Sequence, residues 1–248
     1  SVYNLISQYI LIIGSIVALV FLAVAGNEKR AAAGLTRQNW KSAVFIVLLF
    51  VGIYIVRTVV SMAGQGVSDG SGMQYVKEWA AMFKNPMMWL NIAALPINYF
   101  FVFIAFFGEE YGWRYYLQPV LQKRFGLRAG VIILGVVWGL WHIPDDLFYY
   151  TQTSGIQMIF AQQITCISLG IFFAYAYMKT QNIWVPVCLH YLNNNLIPII
   201  SGTFSADVLE NQTVSWKDLP VALVLNGLCF GFFLLADVFK KKEVQEEE

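Results

Sequence analysis

Ser42–Ala63 reads SAVFIVLLFVGIYIVRTVVSMA, an apolar run whose one charge is Arg57. A helix crosses the hydrocarbon core of a bilayer with roughly 20 apolar residues, so this stretch is read as a membrane span. Working outward, blocks of the same kind occur at Leu5–Ala25, Met87–Phe107, Ala129–Tyr149, Ile156–Met178, Ile183–Ser201 and Leu219–Phe239. The expected fold is an all-α, polytopic transmembrane helix bundle of about seven to eight spans. It forms a single membrane domain over residues 1–248, with no internal repeat and no long linker. Composition points the same way: 58% of residues are hydrophobic and 12% charged, about half the charged share of an ordinary soluble domain.

Leu5–Ala25 is too long for the ~7–15-residue apolar region of a removable signal peptide, and no basic residue precedes it. It is read as a span that stays. The Gly/Ser-rich stretch Gly64–Asn85 reads as a mobile outer loop. Cys166, Cys188 and Cys229 all fall inside apolar blocks without paired spacing, which suggests buried small hydrophobes rather than a disulfide framework. A net charge of +1 gives no reason to expect a nucleic-acid partner. The partners expected are the lipid bilayer and a peptide or lipidated protein substrate.

Basic residues are enriched in loops on the cytoplasmic side of membrane proteins. With the N-terminus outside, the inward loops hold Lys29, Arg30, Arg37, Lys41, Arg114, Lys123, Arg124, Arg128, Lys179, Lys240, Lys241 and Lys242. The outward loops hold Lys77, Lys84 and Lys217. A multi-pass protein of the cell membrane with a cytoplasmic C-terminus is therefore expected. Arg57 is left without a role by the sequence.

Charged and polar residues inside spans are costly and mark functional sites by default. They gather in three segments. Glu109-Glu110-Tyr111-Gly112-Trp113-Arg114 closes the third block. Glu110 and Arg114 are four apart on a helix and suit an ion pair. Glu109 points about 100° away, so one carboxylate can be neutralised while the other stays free for chemistry. Trp138-Gly139-Leu140-Trp141-His142 and His190-Tyr191-Leu192-Asn193-Asn194 each place two residues on one face, Trp138 with His142 and His190 with Asn194. Glu109 precedes the basic turn Lys123–Arg128 by 14 residues and His142 follows it by 14. Both therefore sit about 20 Å from it at 1.5 Å per residue, and His190 lies about 16 Å from Lys179 by the same rise. The three segments can converge at one depth.

No Ser or Cys stands beside them in a nucleophile–base pattern. A carboxylate with two imidazoles suits hydrolysis: Glu109 takes a proton from water, and the histidines and Asn194 polarise the carbonyl or hold the oxyanion. His142 and His190 with a carboxylate could instead bind Zn²⁺ and leave an open position for water. No HExxH is present, and spacing alone does not choose between the two.

In order, EEYGWR, WGLWH and HYLNN resemble the three motifs of the CAAX-protease and bacteriocin-processing family of intramembrane proteases, EExxxR, FxxxH and HxxxN. The resemblance spans roughly Phe101 to Ile200, inside a catalytic core of about 86–201. It implies a membrane-embedded helical endopeptidase with its site on the cytoplasmic side, and it leaves open whether a metal such as Zn²⁺ takes part. Glu109 would be the catalytic glutamate, and His142, His190 and Asn194 the groups binding water, oxyanion or metal. Arg114 would partner Glu110. Trp138 stands where the motif has Phe, and Tyr115 where bacterial members often carry Gly. The family implies cleavage after a prenylated cysteine, processing of peptide pheromones or bacteriocins, or immunity to them. The alternatives are a transporter or channel with a polar path, or a non-catalytic immunity protein of the same fold.

Overall fold

The computed structural model describes residues 13, 15–17, 19, 20, 23–25, 34, 35, 37–65, 70–203, 208 and 210–240. The block Leu5–Ala25 lies largely outside these, as do Lys29, Arg30, Lys241 and Lys242 of the inward basic set. Among the described residues the regular structure is helical throughout. Its main helices are α1 (Trp40–Gln65), α2 (Gly72–Met82), α3 (Pro86–Glu110), α4 (Gln118–Phe125), α5 (Leu127–Trp141), α6 (Ile143–Phe148), α7 (Gly155–Thr180), α8 (Trp184–Ser201) and α9 (Asp218–Cys229). A π-helical segment, Tyr111–Leu117, joins α3 to α4, and short 3₁₀ turns follow α9. The molecule is a helical membrane bundle.

Among the described residues four stretches are long and apolar enough to cross a bilayer: Trp40–Gly64, Pro86–Phe125, Leu127–Phe148 and Gly155–Thr180. They coincide with four of the expected blocks. Val44, Phe45 and Leu48 on α1 face outward while Ile46, Phe50 and Tyr54 are buried, so this helix is apolar all round, as lipid exposure requires. Two blocks differ from expectation. Ile183–Ser201 forms α8, whose apolar character is diluted by the polar run His190–Asn195. Leu219–Phe239 is helical only to Cys229 and then tightens into 3₁₀ turns. Gly227 and Gly231 bracket that break, and glycine costs about 1 kcal/mol relative to alanine inside a helix. The expected loop Gly64–Asn85 is also corrected: within it, α2 packs back on the bundle, Trp79 Nε1 donating to the Ile200 carbonyl at 2.6 Å.

The core is aromatic. Phe50 packs against Phe172, Phe173 and Phe230 at ring separations of 5.5–6.0 Å. Arg57 finds partners after all: Nε donates to Asn226 Oδ1 at 3.0 Å, and the guanidinium lies over the Tyr54 ring. The basic connections gather at one end. Asn39 Nδ2 donates to the Thr180 carbonyl at 2.9 Å, Asn182 Nδ2 to the Gln38 carbonyl at 3.1 Å, and Arg128 Nε to the Leu234 carbonyl at 3.2 Å. Gln122 reaches Met178 Sδ at 3.2 Å. Arg37, Lys41, Lys123, Arg124, Arg128 and Lys179 thus lie near one another at one end of the bundle.

Candidate active site

Helix α3 runs toward the basic end and α5 returns from it. Gly126 makes the reversal with φ 89°, a conformation open to glycine because it lacks Cβ. Arg114 stands 11 residues before Phe125 and Trp138 stands 11 after Leu127, each about 16 Å from the turn at 1.5 Å per residue. The two meet there, with the Arg114 guanidinium 4.6 Å from the Trp138 ring centroid. Phe173 of α7 flanks the guanidinium at 5.0 Å.

The π segment starts immediately after Glu110, and the Gln118 N–H reaches back five residues to the Trp113 carbonyl. Pro119 cannot supply the N–H that an α-helical ladder would direct at Tyr115, so the ladder changes register just upstream. Such π segments recur at functional sites. Here it begins directly after one member of an ion pair and contains the other. Arg114 Nη1 is 3.0 Å from Glu110 Oε1 and 2.9 Å from Oε2, and both side chains are fully buried.

Glu110 also binds the third motif. His190 Nδ1 donates to Glu110 Oε1 at 2.8 Å, which leaves Nε2 as the uncommitted ring nitrogen. The imidazole is enclosed by aromatic edges, Phe106 at 5.2 Å and Trp138 at 5.5 Å. His142 ends α5, and its Nδ1 donates to the Trp138 carbonyl at 2.9 Å. Its Nε2 is likewise left over. Trp138 packs edge-on to His142 at 5.8 Å, so one indole touches Arg114, His142 and His190. Trp138 occupies the motif position as a packing hub for the whole cluster.

Glu109 is half-buried and makes no hydrogen bond or ion pair among the described residues. It remains close enough to act electrostatically on His190, Arg114 and Cys166. The two adjacent carboxylates are thereby divided, Glu110 engaged on two sides and Glu109 unengaged. Asn194 lies one turn beyond His190 on α8, exposed, with its Oδ1 accepting from Asn193 Nδ2 at 2.9 Å. Among the described residues it makes no hydrogen bond to His190.

Three nearby groups escaped the sequence reading. Cys166 Sγ lies 3.8 Å from His142 Nδ1. Phe173 flanks both Arg114 and His190, and nothing in its type or spacing signals this. Asp146, one turn after His142, is completely buried with both carboxylate oxygens unpartnered among the described residues. An acid inside an apolar block is itself a signal, and WHIPDD displays it.

Among the described residues no three His, Cys, Asp or Glu side chains are grouped to hold a metal. Each histidine commits Nδ1 to a protein oxygen and keeps Nε2 free, an arrangement that orients an imidazole for water, oxyanion or metal alike.

Comparison with known proteins extends the picture. The family model described as type II CAAX prenyl endopeptidase Rce1-like matches residues 90–196, a stretch containing all three motifs. A CAAX prenyl protease 2 of Methanococcus maripaludis is 27% identical over 125 residues. That alignment covers 47% of this chain and 45% of the relative, so the chain spans just under half the length of the curated protein it matches. No solved structure matches the chain.

Proposed function

We propose that this chain, which over residues 90–196 belongs with the Rce1-like type II CAAX prenyl endopeptidases, is an intramembrane endopeptidase. Its substrate is a membrane-associated peptide or lipidated protein, cut near the cytoplasmic face. The observation that carries this reading is the division of labour between neighbouring acids. Glu110 is held by Arg114 and His190, while Glu109 is unengaged beside them. A carboxylate without a partner, in a site of low polarity, is what a general base acting on water requires.

The reaction then runs through residues of this chain. Glu109 accepts a proton from water as the oxygen attacks the scissile carbonyl carbon. The oxyanion is met by His190 Nε2 and the Asn194 amide. For Nε2 to donate, the His190 ring must be protonated, and Glu110 below it supplies the countercharge. His142, oriented by the Trp138 carbonyl, presents Nε2 to the water. Glu109 returns its proton to the leaving amine nitrogen as the C–N bond breaks. No step is routed through a metal.

The orientation proposed is an outer N-terminus and a cytoplasmic C-terminus, supported by the basic residues gathered at one end of the bundle. Purified protein in liposomes, given a fluorescence-quenched peptide with a farnesylated cysteine followed by three residues, should release the fluorophore. His142→Ala is expected to lower that rate by about 100-fold or more, and a chelator to leave it unchanged. Cleavage abolished by chelator and restored by Zn²⁺ would replace direct glutamate activation with metal activation. Equal cleavage by wild type and His142→Ala would remove the site from the histidines.

A further inference from the structure

Tyr54 lies on α1, outside the stretch matched to known proteases, and is 6% exposed. Its phenolic O–H donates to Asn193 Oδ1 at 2.6 Å. Asn193 Nδ2 in turn donates to Asn194 Oδ1 at 2.9 Å. Behind the phenol, the Arg57 guanidinium lies 5.8 Å from the ring centroid and is anchored by Asn226, a buried side chain on α9. The chain of contacts runs from two peripheral helices to the asparagine of the third motif.

An amide has two ends of nearly equal shape and opposite chemistry, a C=O that accepts and an NH₂ that donates. The Tyr54 O–H calls for the oxygen end of Asn193. That choice turns the Asn193 NH₂ toward Asn194, which must answer with its own oxygen. Asn194 is then left with its NH₂ as the uncommitted end. An oxyanion needs donors aimed at it before charge develops, and a flipped amide would offer a lone pair instead. The cation over the phenol draws electron density from the ring and strengthens the O–H as a donor.

We propose that Tyr54 is a positioning residue which, through Asn193, sets the Asn194 amide so that its NH₂ faces the substrate. This rests on the reading of Asn194 as an oxyanion donor. It would explain why a buried Tyr54 stands beside a half-buried Arg57 in an otherwise apolar span.

The test uses the full chain in liposomes and the farnesylated quenched peptide. Asn194→Ala comes first, with an expected loss of about 100-fold in kcat. Wild-type kcat in that variant would overturn the reading of Asn194 and the inference with it. Tyr54→Phe then removes one hydroxyl, and kcat should fall about 3- to 10-fold, the range of one neutral hydrogen bond, at unchanged KM. The same substitution made in Asn193→Ala should cost nothing further. A crippled Asn194→Ala beside a Tyr54→Phe with wild-type kcat would overturn the positioning role alone. So would a Tyr54→Phe loss of the same size with and without Asn193. A merely structural Tyr54 would lower Tm and leave kcat per folded molecule untouched.

Discussion

Arg114 is a guanidinium with no exposure to solvent, in a part of the chain that also has to sit in a bilayer. An isolated ion in such a place is held only by its immediate partners. Here they are both oxygens of Glu110 and the ring faces of Trp138 and Phe173, and a desolvated cation–π contact contributes about 2 kcal/mol. Removing one member of a buried pair strands the other and costs about 3–5 kcal/mol. Arg114→Ala should therefore lose folded protein as well as activity, seen as a drop in Tm in detergent. A variant with wild-type Tm and activity would mean that the pair holds nothing in place. Glu110 and Arg114 were legible as a pair from their spacing of four, and they do pair. That His190 would join Glu110 was not legible, because a contact between residues 80 apart depends on how α3 and α8 pack. Asp146 was passed over although an acid inside an apolar block is a signal in itself, and its position one turn from His142 marks it as part of the same neighbourhood.

At the scale of elements, the contact of α5 with α7 sets the depth at which Trp138 meets Arg114. Backbones approach closely there: a Cβ added at Gly135 would lie 2.6 Å from the Ile167 Cα. Gln163 of α7 donates to the Val136 carbonyl at 3.2 Å across the same seam. Small residues with an interhelical hydrogen bond are how helices associate where water drives nothing. Gly135→Leu should force the pair apart, costing about 1–3 kcal/mol as overpacking does, and cleavage should fall because Trp138 moves with α5. Measured Tm and turnover equal to wild type would show that the seam yields freely. Block boundaries came from hydropathy alone and agree with α1, α3 and α7 to within a few residues. The π segment did not, since a change of ladder register leaves no mark in apolar periodicity, although Pro119 hints at one. Helix α2 was hidden for a different reason: its neighbours Gly64 and Gly70 made the whole stretch read as a loop.

For the molecule as a whole, the convergence of three motifs follows from topology. Two antiparallel helices leaving one tight turn at Gly126 bring residues equidistant from it to one level, and α8 enters from a neighbouring loop at the same end. The gathering of the basic residues around that end gives the bundle one polar rim. The central claim is that Glu109 and Glu110, adjacent in sequence, differ in kind, one chemical and one structural. The measurement that tests it most directly compares Glu109→Gln with Glu110→Gln in liposomes, reading both peptide cleavage and Tm. Glu109→Gln should keep the wild-type Tm and lose cleavage by about 100- to 10,000-fold, the range of a general base. Glu110→Gln should lower Tm, because Arg114 loses its countercharge. If Glu110→Gln instead abolished cleavage at unchanged Tm while Glu109→Gln cleaved normally, the two roles would be reversed and the account contradicted.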